Sequence, residues 1–90
     1  MPARRFIIQG LVQGVGYRAF VERLAVRQGI RGEVWNRPDG AVEAFVEHES
    51  LDILQSFAQQ LSLGPGTIED ISVSFEAEQG YESFEIGHSR

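Results

Sequence analysis

The architecture of this chain is set by the segment Gly10-Leu11-Val12-Gln13-Gly14-Val15-Gly16-Tyr17-Arg18. It continues an apolar run typical of a strand, contains a turn with two glycines and leads into a segment with helical spacing. A junction of this kind leaves backbone N–H groups unpaired at the start of the helix, where the helix dipole adds partial positive charge. Because glycine lets the backbone approach an anion without a Cβ atom in the way, Gly14 and Gly16 predict an anion-binding loop.

Arg18 is an unfavourable residue for the start of a helix. A cation is disfavoured in the first turn, because the N-terminal end of a helix is already positive. A phosphate bound between the loop amides and the guanidinium would remove this repulsion, and arginine can hold phosphate with two parallel hydrogen bonds. The alternative interpretation is a surface arginine that follows a tight turn.

The same stretch resembles the signature of the acylphosphatase family, Gly-x-Val-Gln-Gly-Val-Gly-aromatic-Arg, at every position. The resemblance implies a loop that holds phosphate through its amides, with Arg18 as a catalytic residue. The residues that it assigns to phosphate binding are Gln13, Gly14, Val15, Gly16, Tyr17 and Arg18.

A second motif of the family reads Gly, aromatic, small apolar, x, Asn, three residues, Gly, x, Val. The positions that match it here are Gly32, Val34, Asn36, Gly40 and Val42. An asparagine beside a turn often caps that turn, although its amide can also hold a water at two points. The resemblance implies the second role, with Asn36 as a catalytic residue. The departures from the family pattern are Glu33, Trp35 and His48.

On either side of the loop, the first half of the chain is predicted to form a strand, a helix and a hairpin. Residues 5–12 are apolar on both faces, which predicts a strand at a central position in a sheet. Residues 18–28 have helical spacing, and Gly29 is a suitable C′ residue. Two further strands, residues 30–36 and 41–47, flank the turn sequence Arg37-Pro38-Asp39-Gly40 and predict a hairpin.

The second half of the chain reads as a helix and two strands. Ser50 is a suitable N-cap, and the helix after it carries an apolar stripe that ends before Gly64-Pro65-Gly66. Residues 71–75 alternate as in a half-buried strand, and Phe84 and Ile86 mark a short edge strand. The order predicts one α+β domain over residues 1–90, a ferredoxin-like βαββαβ sandwich with a mostly antiparallel sheet and two helices on one face. The acylphosphatase family has this fold.

Charge and composition exclude several classes of protein. The net charge is −5, which argues against a general nucleic-acid binder. Residues 1–37 carry seven arginines against two glutamates (+5), and residues 38–90 carry eleven acidic residues against one arginine (−10). A small anion could therefore be steered towards the loop. No apolar run approaches the roughly 20 residues that span a bilayer, so neither a nucleic acid nor a membrane is expected as a partner.

Other motifs in the chain are weak. Residues 14–19 satisfy the dinucleotide fingerprint Gly-x-Gly-x-x-Gly/Ala, but the strand after the helix enters a hairpin and not a second crossover. His48 and His88 lie forty positions apart, and no acidic or histidine cluster has metal-ligand spacing. The absence of cysteine excludes a disulfide or a thiolate nucleophile and suits the cytoplasm.

The hypothesis is hydrolysis of acyl phosphates to a carboxylate and inorganic phosphate, without a metal or cofactor. The expected partners are a small acyl phosphate substrate and inorganic phosphate or sulfate as a product-like ligand, and the protein is expected to be a monomer. One alternative is a ferredoxin-like module that binds phosphate or a phosphorylated metabolite without turnover. Another is a domain of a larger carbamoyl-transferring protein, which the length of 90 residues disfavours.

Overall fold

Five strands and two α-helices follow one another in the order that the sequence predicts. The computed structural model describes all 90 residues. Its elements are β1 (Ala3–Leu11), α1 (Tyr17–Arg27), β2 (Arg31–Asn36), β3 (Val42–Glu47), α2 (Leu51–Gln60), β4 (Thr67–Glu76) and β5 (Phe84–Ile86). A short 3-10 turn, Leu61–Leu63, continues α2.

The strands form one sheet in the order β4-β1-β3-β2-β5. Neighbouring strands are antiparallel except β2 and β5, which are parallel. The predicted central position of β1 and edge position of β5 are confirmed. Because β1 and β2 are both antiparallel to β3, they run in the same direction. The loop after β1 and the turn after β2 therefore leave the sheet at the same end.

Both helices pack on one face of the sheet over a single core of 16 buried residues. From the strands it takes alternate residues that the pairing aligns across the sheet, such as Phe6 opposite Ala44 and Ala44 opposite Val34. From the helices it takes the apolar stripes, including Val21, Leu24, Leu54 and Phe57. The ferredoxin-like sandwich with two helices on one face is confirmed.

The predicted helix ends have the expected chemistry. The N–H groups of Gly29 and Ile30 donate to the carbonyl groups of Val26 and Ala25, which is a Schellman motif with glycine at C′. The Ser50 hydroxyl accepts a hydrogen bond from the N–H group of Ile53 at the start of α2. Such caps satisfy backbone groups that the helix itself leaves unpaired.

The opposite face of the sheet carries a second, smaller apolar cluster of Ala3, Trp35 and Phe45, with Tyr81 packed against it. Tyr81 belongs to the segment between β4 and β5. Glu47, only 1% exposed, anchors this segment because its carboxylate accepts hydrogen bonds from three successive N–H groups, those of residues 79–81.

Neither α1 nor α2 has the length and apolar character that a membrane-spanning helix requires.

Candidate active site

The loop between β1 and α1 has the backbone that its glycines predict. Gly14 and Gly16 have φ angles of 75° and 87°, a region that residues with a Cβ atom rarely adopt. A Cβ atom at either position would meet nothing within 4 Å, so both glycines face open space. No N–H group from Gln13 to Gly16 donates to a backbone carbonyl group, and the first N–H groups of α1 have no helical acceptor. A row of unpaired N–H donors of this kind is typical of loops that bind anions.

Arg18 lies in the first turn of α1, directly beside the loop. Together with Gly14, Gly16 and Ile86 it lines an open hollow of about 170 Å³. Its guanidinium makes no ion pair, although the chain carries 13 acidic residues. The side chain is half-buried and free to bind an anion with its planar donors.

The side chains of Gln13 and Tyr17 hold the loop in place and are engaged elsewhere. The Gln13 side-chain amide donates to the carbonyl groups of Arg37 and Ala41 at 2.8 and 2.9 Å. The buried Tyr17 hydroxyl donates to the carbonyl group of Leu61 at 2.8 Å, and burial raises the pKa of Tyr17 above its ordinary value. Only the backbone N–H groups of these two residues are therefore left for an anion.

Asn36 is the last residue of β2 and pairs with Val42 of β3. It lies two residues beyond the core residue Val34, so its side chain projects from the face that the helices cover. Its side-chain oxygen, Oδ1, is buried and has no hydrogen-bond partner in the protein. An unpaired buried acceptor is costly, and in a native fold such a group often marks a functional position.

The structure places Asn36 and the loop at the same end of the sheet. The parallel strands β1 and β2 both finish there. Gln13 joins the two segments, since its amide bonds to Arg37, the residue next to Asn36. Ile86 of β5, which lines the hollow with Arg18, pairs with Val34 of β2.

The hairpin turn after Asn36 is held by local charges and hydrogen bonds. The N–H group of Arg37 donates to the carbonyl group of Ala41 at 2.9 Å, and Asp39 accepts from the N–H group of Ala41 at 3.0 Å. The Arg37 guanidinium binds the Asp39 carboxylate and so lowers the pKa of Asp39 below its ordinary value. These contacts hold the turn that directly follows Asn36 in one conformation.

The three departures from the family pattern lie outside the hollow. His48 follows the end of β3 opposite Val42, and its ring accepts a hydrogen bond from the N–H group of Ser50. Glu33 and Trp35 project from the face of the sheet opposite the helices, where both contact Arg90. Arg90 is a residue near the site that sequence reasoning missed, because no local pattern marks it.

The fold and the site define a small ferredoxin-like sandwich with a glycine-rich loop of unpaired N–H groups at the start of its first helix. The acylphosphatase family model matches residues 4–86. The acylphosphatase of Pseudothermotoga lettingae is 42% identical over 88 residues, which cover 96% of this chain and 98% of that protein. The crystal structure of acylphosphatase from Bacillus subtilis is 38% identical with a TM-score of 0.93, over 97% of this chain and 99% of that chain. The protein belongs to the acylphosphatase family.

The same fold occurs inside a much larger protein. The crystal structure of HypF from T. kodakarensis is 31% identical to this chain with a TM-score of 0.86. The match covers 100% of this chain but only 12% of that one. Similar domains therefore occur both in proteins of about this length and as one part of a longer chain.

Proposed function

We propose that the loop amides, Arg18 and Asn36 carry out the hydrolysis of acyl phosphates, the reaction that membership of the acylphosphatase family assigns to this chain. The phosphate group lies in the cradle formed by residues 13–18, and Arg18 binds its oxygens through two parallel N–H groups. Asn36 holds the attacking water through its side-chain amide. The observation that carries this assignment is the position of Asn36 at the end of the sheet where the loop after β1 leaves its N–H groups free.

The small set of residues is sufficient for this chemistry. The leaving group is a carboxylate whose conjugate acid has a pKa of about 4, so no strong general acid is required to protonate it. Phosphoryl transfer through a loose transition state needs mainly positioning and stabilisation of charge on the equatorial oxygens. The amides and Arg18 supply the charge stabilisation, and Asn36 aligns the water. A phosphate oxygen of the substrate accepts the proton that the water loses.

The first test is release of phosphate from benzoyl phosphate by the whole chain and by Asn36→Ala. We expect kcat to fall by about 10²–10³, the cost of losing one preorganised group in such a site. The inhibition constant of inorganic phosphate should change far less, because the cradle is intact. Gln28→Ala is the matched control, since Gln28 also carries a buried oxygen without a partner but lies at the far end of α1. Normal turnover with weakened phosphate binding in Asn36→Ala would contradict the role.

The proposal also covers the bound ligand, the oligomeric state and the cellular location. We infer that inorganic phosphate occupies the cradle as a product-like ligand and that the protein works as a cytoplasmic monomer. The charges of the loop end support the first inference, since Arg18 has no carboxylate partner. Competitive inhibition by phosphate, lost in Arg18→Ala, tests the ligand. A mass near the 10.1 kDa of one chain in sedimentation equilibrium tests the monomer.

A further inference from the structure

Arg90 contacts the strand that carries Asn36 at three places. Its backbone N–H group donates to the carbonyl group of Asn36 at 2.8 Å. Its guanidinium pairs with the Glu33 carboxylate at 2.8 Å and lies 3.9 Å from the centre of the Trp35 ring. One residue thus contacts three of the last four positions of β2, through its backbone and its side chain.

The backbone contact supports β2 where the sheet ends. On one side, Asn36 is paired with β3. On the other side, the paired part of β5 reaches only to Ile86, opposite Val34. The row of hydrogen bonds continues past this point through the N–H group of Gly87, which donates to Val34, and that of Arg90, which donates to Asn36. Arg90 therefore supplies the outer hydrogen bond at the residue that carries the site amide.

The guanidinium fixes the position of the Arg90 backbone. Trp35 is only 4% exposed and offers a rigid ring for the guanidinium to stack on. Glu33 is held from a second direction, because the Tyr81 hydroxyl donates to the same carboxylate oxygen, Oε1, at 3.1 Å. Half of the Arg90 side chain is exposed, so its pairing with Glu33 adds little to stability. The contact matters more for the position of the Arg90 backbone than for stability.

We propose that Arg90 is a positioning residue for the hydrolysis, acting through Asn36. This inference rests on the proposed function, since it requires Asn36 to align the attacking water. Without the guanidinium, residues 88–90 lose their side-chain anchor on β2, and the Asn36 amide samples orientations that do not place the water in line. A misplacement of about 1 Å can cost about 10² in rate, so we expect a partial loss of roughly tenfold in kcat for Arg90→Ala. KM should stay within about twofold, because the cradle is untouched.

The experiment compares kcat, KM and the thermal unfolding midpoint of the whole chain, Arg90→Ala and a matched control. The control is Arg31→Ala, which removes an arginine from the opposite end of β2 that also pairs with a glutamate, Glu49. The proposal requires kcat to fall in Arg90→Ala and not in Arg31→Ala, with similar unfolding midpoints. Equal kcat values for the two variants would overturn it.

Two double variants exclude a purely structural role. Because Arg90 acts through Asn36, Arg90→Ala should cause no further loss of kcat when Asn36→Ala is already present. A loss of the same size in that background would overturn the proposal. Glu33→Gln should also lower kcat, and its combination with Arg90→Ala should be no slower than the slower single variant. Additive losses would show that the two residues do not act together.

Failure of the proposed function gives a different result. If the whole chain does not hydrolyse benzoyl phosphate, or if Asn36→Ala is as fast as the unmodified chain, the assignment of the active site is wrong and the inference falls with it. If Asn36→Ala is slow while Arg90→Ala matches Arg31→Ala, only the role of Arg90 is wrong.

Discussion

Arg18 is the residue at which charge and position conflict, since a cation lies in the positive first turn of α1 without a carboxylate partner. We predict that Arg18→Ala lowers kcat/KM for benzoyl phosphate by at least about 10²–10³. Arg18→Lys should recover little, because a point charge does not reproduce two parallel N–H donors. Steady-state kinetics checks both variants, with Arg23→Ala, an exposed arginine on the same helix, as the control. Full activity of Arg18→Lys would contradict bidentate binding.

The roles of some residues could be predicted from the sequence, and the roles of others could not. Gly14 and Gly16 could be predicted because their positive φ angles are a local demand that glycine meets. Glu47 and Arg90 could not, because their partners are distant in sequence. The Glu47 carboxylate binds N–H groups 32 to 34 positions away, and Arg90 binds β2. Neither residue forms part of a local pattern, so only the folded chain shows what it does.

At the scale of elements, all seven helices and strands could be predicted, whereas several bounds could not. β4 begins at Thr67, four residues before the alternation from Ile71 that predicted it, because its pairing with β1 continues past an irregularity to Leu11. α1 begins at Tyr17 and not at Arg18. For β4 the pairing with β1 decides the bound, and local propensity does not contain it. The one-residue difference at α1 is within the usual uncertainty of helix ends.

Tyr17 links the two helices. It is the first residue of α1, and its hydroxyl donates a hydrogen bond to the carbonyl group of Leu61, just after α2. We predict that Tyr17→Phe lowers the free energy of unfolding by about 1–2 kcal/mol, because a buried carbonyl group loses its donor. Turnover should change little, because the proposed phosphate site uses the N–H group of this residue and not its hydroxyl. Urea unfolding and kcat measure the two effects. A large loss of kcat at unchanged stability would assign the hydroxyl to catalysis.

The same variant has a signature at high pH. Burial raises the pKa of Tyr17 above its ordinary value of 10.0, so the neutral hydroxyl favours the folded state. This contribution is complete below about pH 10, the pKa of an unfolded tyrosine, and is lost as the pH rises further. Urea unfolding of the unmodified chain should therefore show a steeper loss of stability above pH 10 than Tyr17→Phe. Part of the loss should remain in the variant, because burial also raises the pKa of Tyr81.

At the scale of the whole molecule, the sequence predicts an excess of positive charge in residues 1–37, and the structure shows where that charge is left free. Arg5, Arg31 and Arg37 pair with carboxylates, so they contribute little net field. Three of the remaining four arginines in this part of the chain lie on α1, the helix that begins at the cradle. Pairing between distant residues thus leaves three of the four unpaired arginines along one helix, and of these only Arg18 lies in its first turn, beside the loop, where it can attract an anion. The sum of charges could be predicted, but this cancellation could not.

Arg5 links three strands of the sheet, because its guanidinium on β1 binds Glu43 of β3 and Glu76 of β4. The hydrogen bond from Arg5 lowers the pKa of Glu76 below its ordinary value of 4.5. A carboxylate whose pKa is lower in the folded state stabilises the fold above its unfolded pKa, and this stabilisation is lost as the pH falls through the folded pKa. The stability of the whole chain should therefore fall as the pH drops below about 4.5.

Arg5→Met tests this link, since it keeps most of the side-chain volume and removes the charge. We predict that the variant is less stable than the unmodified chain at pH 7 and that the difference narrows as the pH falls below about 4.5, because protonated Glu76 no longer gains from Arg5. Urea unfolding midpoints measured from pH 7 to pH 2 give the two curves. Arg27→Met, which changes an exposed arginine without an ion pair, is the control and should follow the unmodified chain. A constant gap between the two curves would mean that Arg5 stabilises the sheet through packing on Phe45 and not through its carboxylate partners.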